Sequence, residues 1–221
     1  MRQLILDLLP EANPAFEDFV VGGNSETLTA LAAWLMAENS ETLFFLWGDS
    51  GAGKTHLLRA GSPGSYRDAR ADPELSSIAG SAPCLAVDNV EALNDQGQLA
   101  LFNQINRRRA NGGRLLAAAN VAPAQLQLRE DLRTRLASGM LYRLLALPEA
   151  EQLAALTEHA RRRGLVLPPP VLHYLFARAP RDMRSLTALL TAIEQYALEH
   201  KRPITLPLLR EVLHTAASGC A

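Results

Sequence analysis

The chain has 221 residues, a net charge of −1, and hydrophobic and charged contents of 48% and 20%. That length accommodates one α/β domain with a sizeable core plus a small second module, and the near-neutral charge excludes a global basic field, so nucleic-acid binding would need a local patch. No stretch approaches the ~20 apolar residues of a membrane span, the opening apolar run is too short for a secretory leader, and Cys84 and Cys220 have neither metal-ligand spacing nor a disulfide-rich setting; a reduced, cytoplasmic protein is expected.

Gln3, Leu4, Ile5, Leu6, Asp7 and Leu8 form a dense apolar opening ahead of a linker holding Pro10, Asn13 and Pro14. Two readings stand open. The run is a first strand or flap lying on the chain's own core, or it is a linear peptide that docks in a partner's apolar pocket with Leu4, Leu6 and Leu8 as anchors. Because short apolar runs are usually core, the residues alone favour the first. Phe19, Val20 and Val21 follow, either packing the start of the domain or lining an adenine pocket. Asn24 suits an N-cap, and Leu28, Leu31, Ala32, Leu35 and Met36 recur at helical spacing as a core stripe.

Residues 42–47 read as a buried parallel strand. The next eight, Gly48-Asp49-Ser50-Gly51-Ala52-Gly53-Lys54-Thr55, fit G-x-x-x-x-G-K-[ST], and residues 56–60 continue as helix. Strand, glycine-rich turn and helix are thus in the order a phosphate cradle requires. Gly48, Gly51 and Gly53 let backbone N–H groups approach phosphate oxygens at the positive end of the helix. Lys54 would reach the β- and γ-phosphates and Thr55 would hold Mg²⁺. The chain contains only two lysines against twenty arginines, so Lys54 is no compositional accident.

Residues 61–83 are weakly patterned, with a small strand expected near 65–67 and a short helix near 73–79. Residues 83–89 form a clearer strand ending in Asp88, the position from which a carboxylate acts on Mg²⁺ through its water shell. Asn89 follows where many such ATPases carry a carboxylate that polarises the attacking water. An amide cannot take that proton, so hydrolysis by this chain alone should be slow. Glu91 lies two residues on, but strand-end geometry is expected to point it elsewhere. Asn94 can cap a helix with Leu99, Phe102 and Ile105 facing the core and Gly112-Gly113 ending it; Arg107-Arg108-Arg109 on its last turn reads as a solvated face. Residues 114–119 form a further strand ending at Asn120, where a γ-phosphate would be sensed. A short charged helix at 129–136 and a last strand at 140–146 follow. Beyond Pro148 only helices are expected, at 149–163, 169–179, 181–199 and 206–216.

These pieces, in this order, resemble the AAA+ family and within it the DnaA-related proteins of the Hda type, over nearly the whole chain. Phe16-Glu17-Asp18-Phe19-Val20-Val21-Gly22 resembles the family's entry to the nucleotide site, and Leu46 through Thr55-His56-Leu57-Leu58 its Walker A region. Cys84-Leu85-Ala86-Val87-Asp88-Asn89 is similar to the Hda Walker B, where Asn follows Asp. Asn120 falls at sensor 1, Arg135 in Leu132-Arg133-Thr134-Arg135-Leu136 at the arginine finger, and Arg184 in Arg-Asp-Met-Arg-Ser-Leu at sensor 2. The resemblance implies an α/β P-loop AAA+ domain (14–147) with a parallel sheet flanked by helices, followed by an all-α lid (148–221) and preceded by a peptide and linker (1–13). It implies ADP or ATP with Mg²⁺ as cofactors. Gln3-Leu4-Ile5-Leu6-Asp7-Leu8 resembles the peptide by which such proteins bind the DNA polymerase III sliding clamp (beta subunit), which reverses the preference drawn from the residues alone. The second implied partner is the initiator DnaA, whose bound ATP would be hydrolysed with Arg135 supplied in trans; an initiator-type DNA-binding domain after the lid is not expected.

Two rival readings are a stand-alone DnaA- or DnaC-like ATPase or helicase loader, disfavoured by Asn89 and the charge, and a clamp-tethered adaptor for another protein. Homo-oligomerisation is left open.

Overall fold

A computed structural model of the chain describes residues 14–78, 82–165, 167–178, 183–200 and 204–209. Residues 3–8 and the end of the last expected helix, beyond 209, lie outside the described residues. The chain divides into two compact units that meet in sequence between Ala146 and Leu147.

In the first unit five strands, β1 (Leu43–Trp47), β2 (Tyr66–Asp68), β3 (Cys84–Asp88), β4 (Arg114–Ala119) and β5 (Met140–Arg143), form one parallel sheet in the order β2-β3-β4-β1-β5. Because side chains alternate across a strand, each strand feeds two cores. Leu43, Phe45, Leu85, Val87, Leu115 and Ala117 point to the face covered by α3 (Asp95–Asn111) and α4 (Glu130–Ala137). Phe44, Leu46, Ala86, Leu116 and Ala118 point to the face covered by α1 (Ser25–Leu35) and α2 (Lys54–Gly61). Burial on both faces is why these strands read as continuous apolar runs.

Several helix details differ from the sequence reading. Asn24 occupies the N-cap position of α1 but does not cap it. Its amide, 2% exposed, instead donates to the Leu145 carbonyl (3.0 Å) and accepts from the Leu145 N–H (2.8 Å), imitating a neighbouring strand beyond the end of β5. On α1 the buried residues are Thr27, Leu31 and Trp34, whereas Met36 is 77% exposed at the C-cap. Asn94 does cap α3, accepting from Gly97 N–H at 2.9 Å, and Gly112 ends it in the left-handed region. The core face of α3 runs through Leu101 and Ile105, leaving Leu99 exposed. Arg108 is not on a solvated face. It is buried and donates to the carbonyls of Ala82 (2.9 Å) and Arg114 (2.9 Å), so only Arg107 and Arg109 of that run are exposed.

No helix forms over 73–78. Asp72 accepts from the backbone N–H and hydroxyl groups of both Ser76 and Ser77, which folds the segment into turns, and Leu75 adopts φ 53° to bury its side chain in the sheet core. A carboxylate that captures backbone donors in this way competes directly with a helix.

The second unit contains α5 (Glu149–Arg162), α6 (Pro169–Arg178) and α7 (Met183–Glu199), with residues 206–209 also helical. Leu156, Leu175, Leu186, Leu190, Ile193 and Leu209 are the centre of its own core. Gly164 (φ 74°) stops α5, and Arg163 pairs with Glu194 at 2.6 Å across to α7.

Replacing Asn24 with alanine removes both of its part-buried hydrogen bonds to the Leu145 backbone. At about 0.5–1.5 kcal/mol net per hydrogen bond, Asn24→Ala is expected to lower stability by about 1–2 kcal/mol in urea unfolding; a loss below about 0.5 kcal/mol would show that the clip is dispensable.

Candidate nucleotide-binding site

The site assembles where the strands end. From Trp47 the chain turns through Gly48, Gly51 (φ 85°) and Gly53 (φ 98°) into α2. A Cβ on Gly48 would stand 2.2 Å from the Leu144 carbonyl oxygen, and one on Gly53 2.6 Å from the Phe19 ring. Glycine is therefore required at 48 by contact, and at 53 by both contact and backbone angle.

Lys54 is buried at 6% exposure, and its ammonium donates to the carbonyls of Gly48 (2.6 Å) and Asp49 (2.9 Å) and to Asn120 Oδ1 (3.1 Å). Burial pulls its pKa below the ordinary amine value, while the carboxylates of Asp88, Glu91 and Asp49 pull the other way. All three direct partners are neutral. Phosphate oxygens, being charged, make stronger hydrogen bonds to an ammonium and can replace them.

Thr55 donates its hydroxyl to Asp88 Oδ2 at 2.6 Å. Tyr66, on β2, donates to the same oxygen at 3.0 Å, and the Asn89 N–H donates to Asp88 Oδ1 at 2.9 Å. Burial, and then the charge of Asp88, raise the Tyr66 pKa, so this hydroxyl stays a donor at any physiological pH. Nothing in the sequence marks Tyr66, a lone aromatic on a three-residue strand. The hydroxyl of Thr55 and the carboxylate of Asp88 are hard oxygen donors converging at the foot of the loop. Such a pair suits Mg²⁺, which takes one or two protein oxygens and completes its shell with phosphates and waters. The ion would neutralise phosphate charge there, with Asp88 acting through its water shell. Among the described residues, no group of three or more His, Cys, Asp and Glu side chains forms a self-sufficient metal cluster.

Asn89 takes up the left-handed conformation (φ 55°) and spends its amide on Asp68 Oδ1, at 2.8 Å. A 3-10 turn over Val90–Ala92 follows, which buries Val90 and brings Glu91 back to the site: its Oε1 accepts from Asn120 Nδ2 at 2.6 Å. The expectation that Glu91 points elsewhere is thus corrected. A lysine only donates and a carboxylate only accepts, so these two neighbours fix which way round the Asn120 amide sits.

Phe19 rests on Gly53, with its ring 5.6 Å from that of His56, and His56 Nε2 lies 2.8 Å from the Ala15 carbonyl, which makes Nε2 the donor. Val20 is half-buried and Val21 42% exposed. Ala52 is buried in the loop and Ser50 is exposed. Arg135 stands half-exposed on α4, and its guanidinium makes no hydrogen bond or ion pair among the described residues. Arg184 lies on α7, in the helical unit; its side chain is outside the described set. A small cleft lined by Ser40, Thr42, Arg109 and Gly139 lies at the opposite, amino end of the strands and holds none of these groups. Cys84, whose thiol burial pushes up to about 11, is no nucleophile at neutral pH.

The chain is similar to known proteins along both units. Residues 11–72 match the family model of the bacterial DnaA ATPase domain, and residues 149–213 match the model of the Hda lid domain. Domain III of the replication initiation protein DnaA from Thermotoga maritima superposes with a TM-score of 0.72 at 20% identity, over 95% of this chain and 100% of that one. AMPPCP-bound DnaA from Aquifex aeolicus gives 0.67 at 21% identity, over 82% and 65% of the two chains. The RuvB Holliday junction branch migration motor of Thermotoga maritima gives 0.62 at 17%, over 96% and 73%. At these identities the likeness is one of fold: a parallel sheet flanked by helices followed by a helical lid. No helix among the described residues is long and apolar enough to cross a membrane.

Thr55→Ala removes the hydroxyl but leaves the loop glycines intact. With a fluorescent ADP analogue, the wild-type chain is expected to lose affinity roughly tenfold or more when EDTA replaces Mg²⁺, the worth of one charge-assisted contact, and Thr55→Ala to bind weakly in both conditions. A full Mg²⁺ response in Thr55→Ala would remove Thr55 from the ion's shell.

Proposed function

This chain is a DnaA/Hda-related AAA+ protein, and from that premise we propose that it is a cytoplasmic regulator that inactivates the initiator DnaA while bound to the sliding clamp. It holds ADP or ATP with Mg²⁺ at Lys54, Thr55 and Asp88, with Phe19, Val20 and Val21 against the base. It docks on the clamp through Gln3, Leu4, Ile5, Leu6, Asp7 and Leu8, and meets DnaA–ATP through an AAA+ interface. There Arg135 enters the partner's site and stabilises the charge developing on the transferred phosphoryl group. An arginine supplied in trans accelerates such reactions by ~10³ to 10⁵.

The observation that carries this reading is Arg135: a guanidinium on a short helix, half-exposed, with no carboxylate or carbonyl to satisfy it among the described residues. Arginine side chains held for structure look different here, as Arg108 and Arg163 demonstrate with their carbonyl and carboxylate partners. The lid supports the same reading, since its match is to the Hda model. So does Asn89, whose amide is tied to Asp68 where a motor would carry a carboxylate.

With DNA-loaded clamp and DnaA carrying radiolabelled ATP, the wild-type chain is expected to convert DnaA–ATP to DnaA–ADP, and Arg135→Ala to lower that rate by ~10³ while retaining capture by the clamp. Stimulation preserved in Arg135→Ala would end the proposed role. In a parallel pull-down, the Gln3→Ala, Leu4→Ala double variant is expected to lose the clamp while still binding ADP normally; unaltered clamp capture would show that the contact is made elsewhere.

A further inference from the structure

A carboxylate offers about four acceptor positions, two on each oxygen. In the buried Asp88, three of them are taken among the described residues. Both on Oδ2 are filled, by the Thr55 hydroxyl at 2.6 Å and the Tyr66 hydroxyl at 3.0 Å, and one on Oδ1 by the Asn89 N–H at 2.9 Å. Thr55 and the Asn89 N–H come with the loop and the strand end themselves. The third donor is brought in from a separate strand. Tyr66 pairs with Ala86 in the register of β2 against β3, and Ala86 shares a sheet face with Asp88 two residues on, so the phenol points along that face toward the carboxylate. Arg59 lies one turn beyond Thr55 on α2, with its guanidinium carbon 4.5 Å from the centroid of the Tyr66 ring. The helix that delivers Thr55 thus also steadies the tyrosine.

We propose that Tyr66 sets which divalent cation the nucleotide site accepts, favouring Mg²⁺ over Ca²⁺ by closing Oδ2 of Asp88 to direct coordination. The inference rests on Lys54, Thr55 and Asp88 holding a nucleotide with its ion, and adds the selectivity of that site. Ca²⁺ takes many oxygens in a flexible geometry and can grip one carboxylate by both oxygens, whereas Mg²⁺ demands an octahedron and gives up its waters reluctantly. A two-oxygen grip needs a vacant position on each oxygen. With Tyr66 in place only Oδ1 has one, which suits a single hydrogen bond from an ion-bound water, the mode that Mg²⁺ prefers. Without the Tyr66 hydroxyl a position opens on Oδ2, and the carboxylate is then able to clasp Ca²⁺ directly. Thr55 cannot exert this control, because its oxygen is itself a ligand for either cation while its proton stays on Asp88. Tyr66 is therefore a positioning residue: it touches neither nucleotide nor ion, and acts by limiting what Asp88 can do.

The test is binding of a fluorescent ADP analogue to the full chain, stripped of metal, with Mg²⁺ or Ca²⁺ at equal free concentration or with EDTA. Tyr66→Phe keeps the ring beside Arg59 and removes only the hydroxyl. It is expected to match the wild type in EDTA, and to lower the ratio of Mg²⁺-supported to Ca²⁺-supported affinity by about fivefold or more, the worth of one hydrogen-bonding position. Adding Asp88→Asn to Tyr66→Phe should abolish the gain with Ca²⁺, because an amide cannot clasp an ion with two oxygens. A ratio in Tyr66→Phe within about twofold of the wild type, an equal loss with both cations as a merely structural tyrosine would give, or a Ca²⁺ gain that survives Asp88→Asn, overturns the proposal. The wild-type chain supplies a readout that does not depend on the variant folding. With isotopically labelled aspartate, infrared difference spectra on adding Ca²⁺ to the ADP complex should lack the narrowed splitting of the carboxylate stretches that two-oxygen coordination produces; that narrowing in the wild type overturns the proposal. If the wild type binds no ADP in any condition, the nucleotide-site reading itself fails and takes this inference with it, whereas binding without the shift in cation ratio sinks the Tyr66 assignment alone.

Discussion

Parallel pairing in register is the constraint from which the site follows. Trp47 lies beside Ala119 and Arg143, and Asp68 beside Asp88, so every strand stops at nearly the same height. Whatever residue comes next on each strand is delivered to a common edge: Gly48 after β1, Asn89 after β3, Asn120 after β4. The hydrophobic content of the strands decides this geometry, and the polar residues at the edge merely inherit it. That is why a handful of side chains far apart in sequence, Lys54, Thr55, Asp88 and Asn120, can be linked by hydrogen bonds of 2.6–3.1 Å.

The edge is arranged around donors and acceptors that saturate one another. Lys54 is surrounded by neutral oxygens, and Asp88 by three donors drawn from α2, β2 and its own strand end. A buried polar network of this kind specifies side-chain orientation more than it adds stability, because each member would be costly if left alone. Tyr66 belongs to that network although it sits on the sheet's outermost short strand. It turns β2 from a mere edge into a supporting element of the Asp88 carboxylate.

What could be read from the sequence was whatever local chemistry dictates. The glycine spacing at 48–53, the continuous apolar runs of β1 and β4, and the Asn94 cap each have one dominant cause within a few residues. The misreadings have causes at longer range. Asn24 looked like a cap because caps are the common use of asparagine before a helix; its actual partner is 121 residues away. Leu99 looked inward because helical spacing fixes relative, not absolute, orientation, and the sheet selected Leu101 instead. The turns at 73–78 depend on one aspartate outcompeting the helix backbone. Glu91 was set aside on strand-end geometry, and that argument omitted the reversal introduced by a single left-handed residue.

The bond between His56 and Ala15 bears on how far a clamp-bound chain can roam. It pins the backbone at residue 15 to the helix that follows the phosphate loop, leaving six residues, and so seven Cα–Cα steps, between that anchor and Leu8. Even fully stretched, at 3.3–3.6 Å each, they reach about 25 Å. On the proposed clamp contact through residues 3–8, the nucleotide domain would stay within about 25 Å of its docking point, raising the local concentration of Arg135 for initiators held close to that clamp.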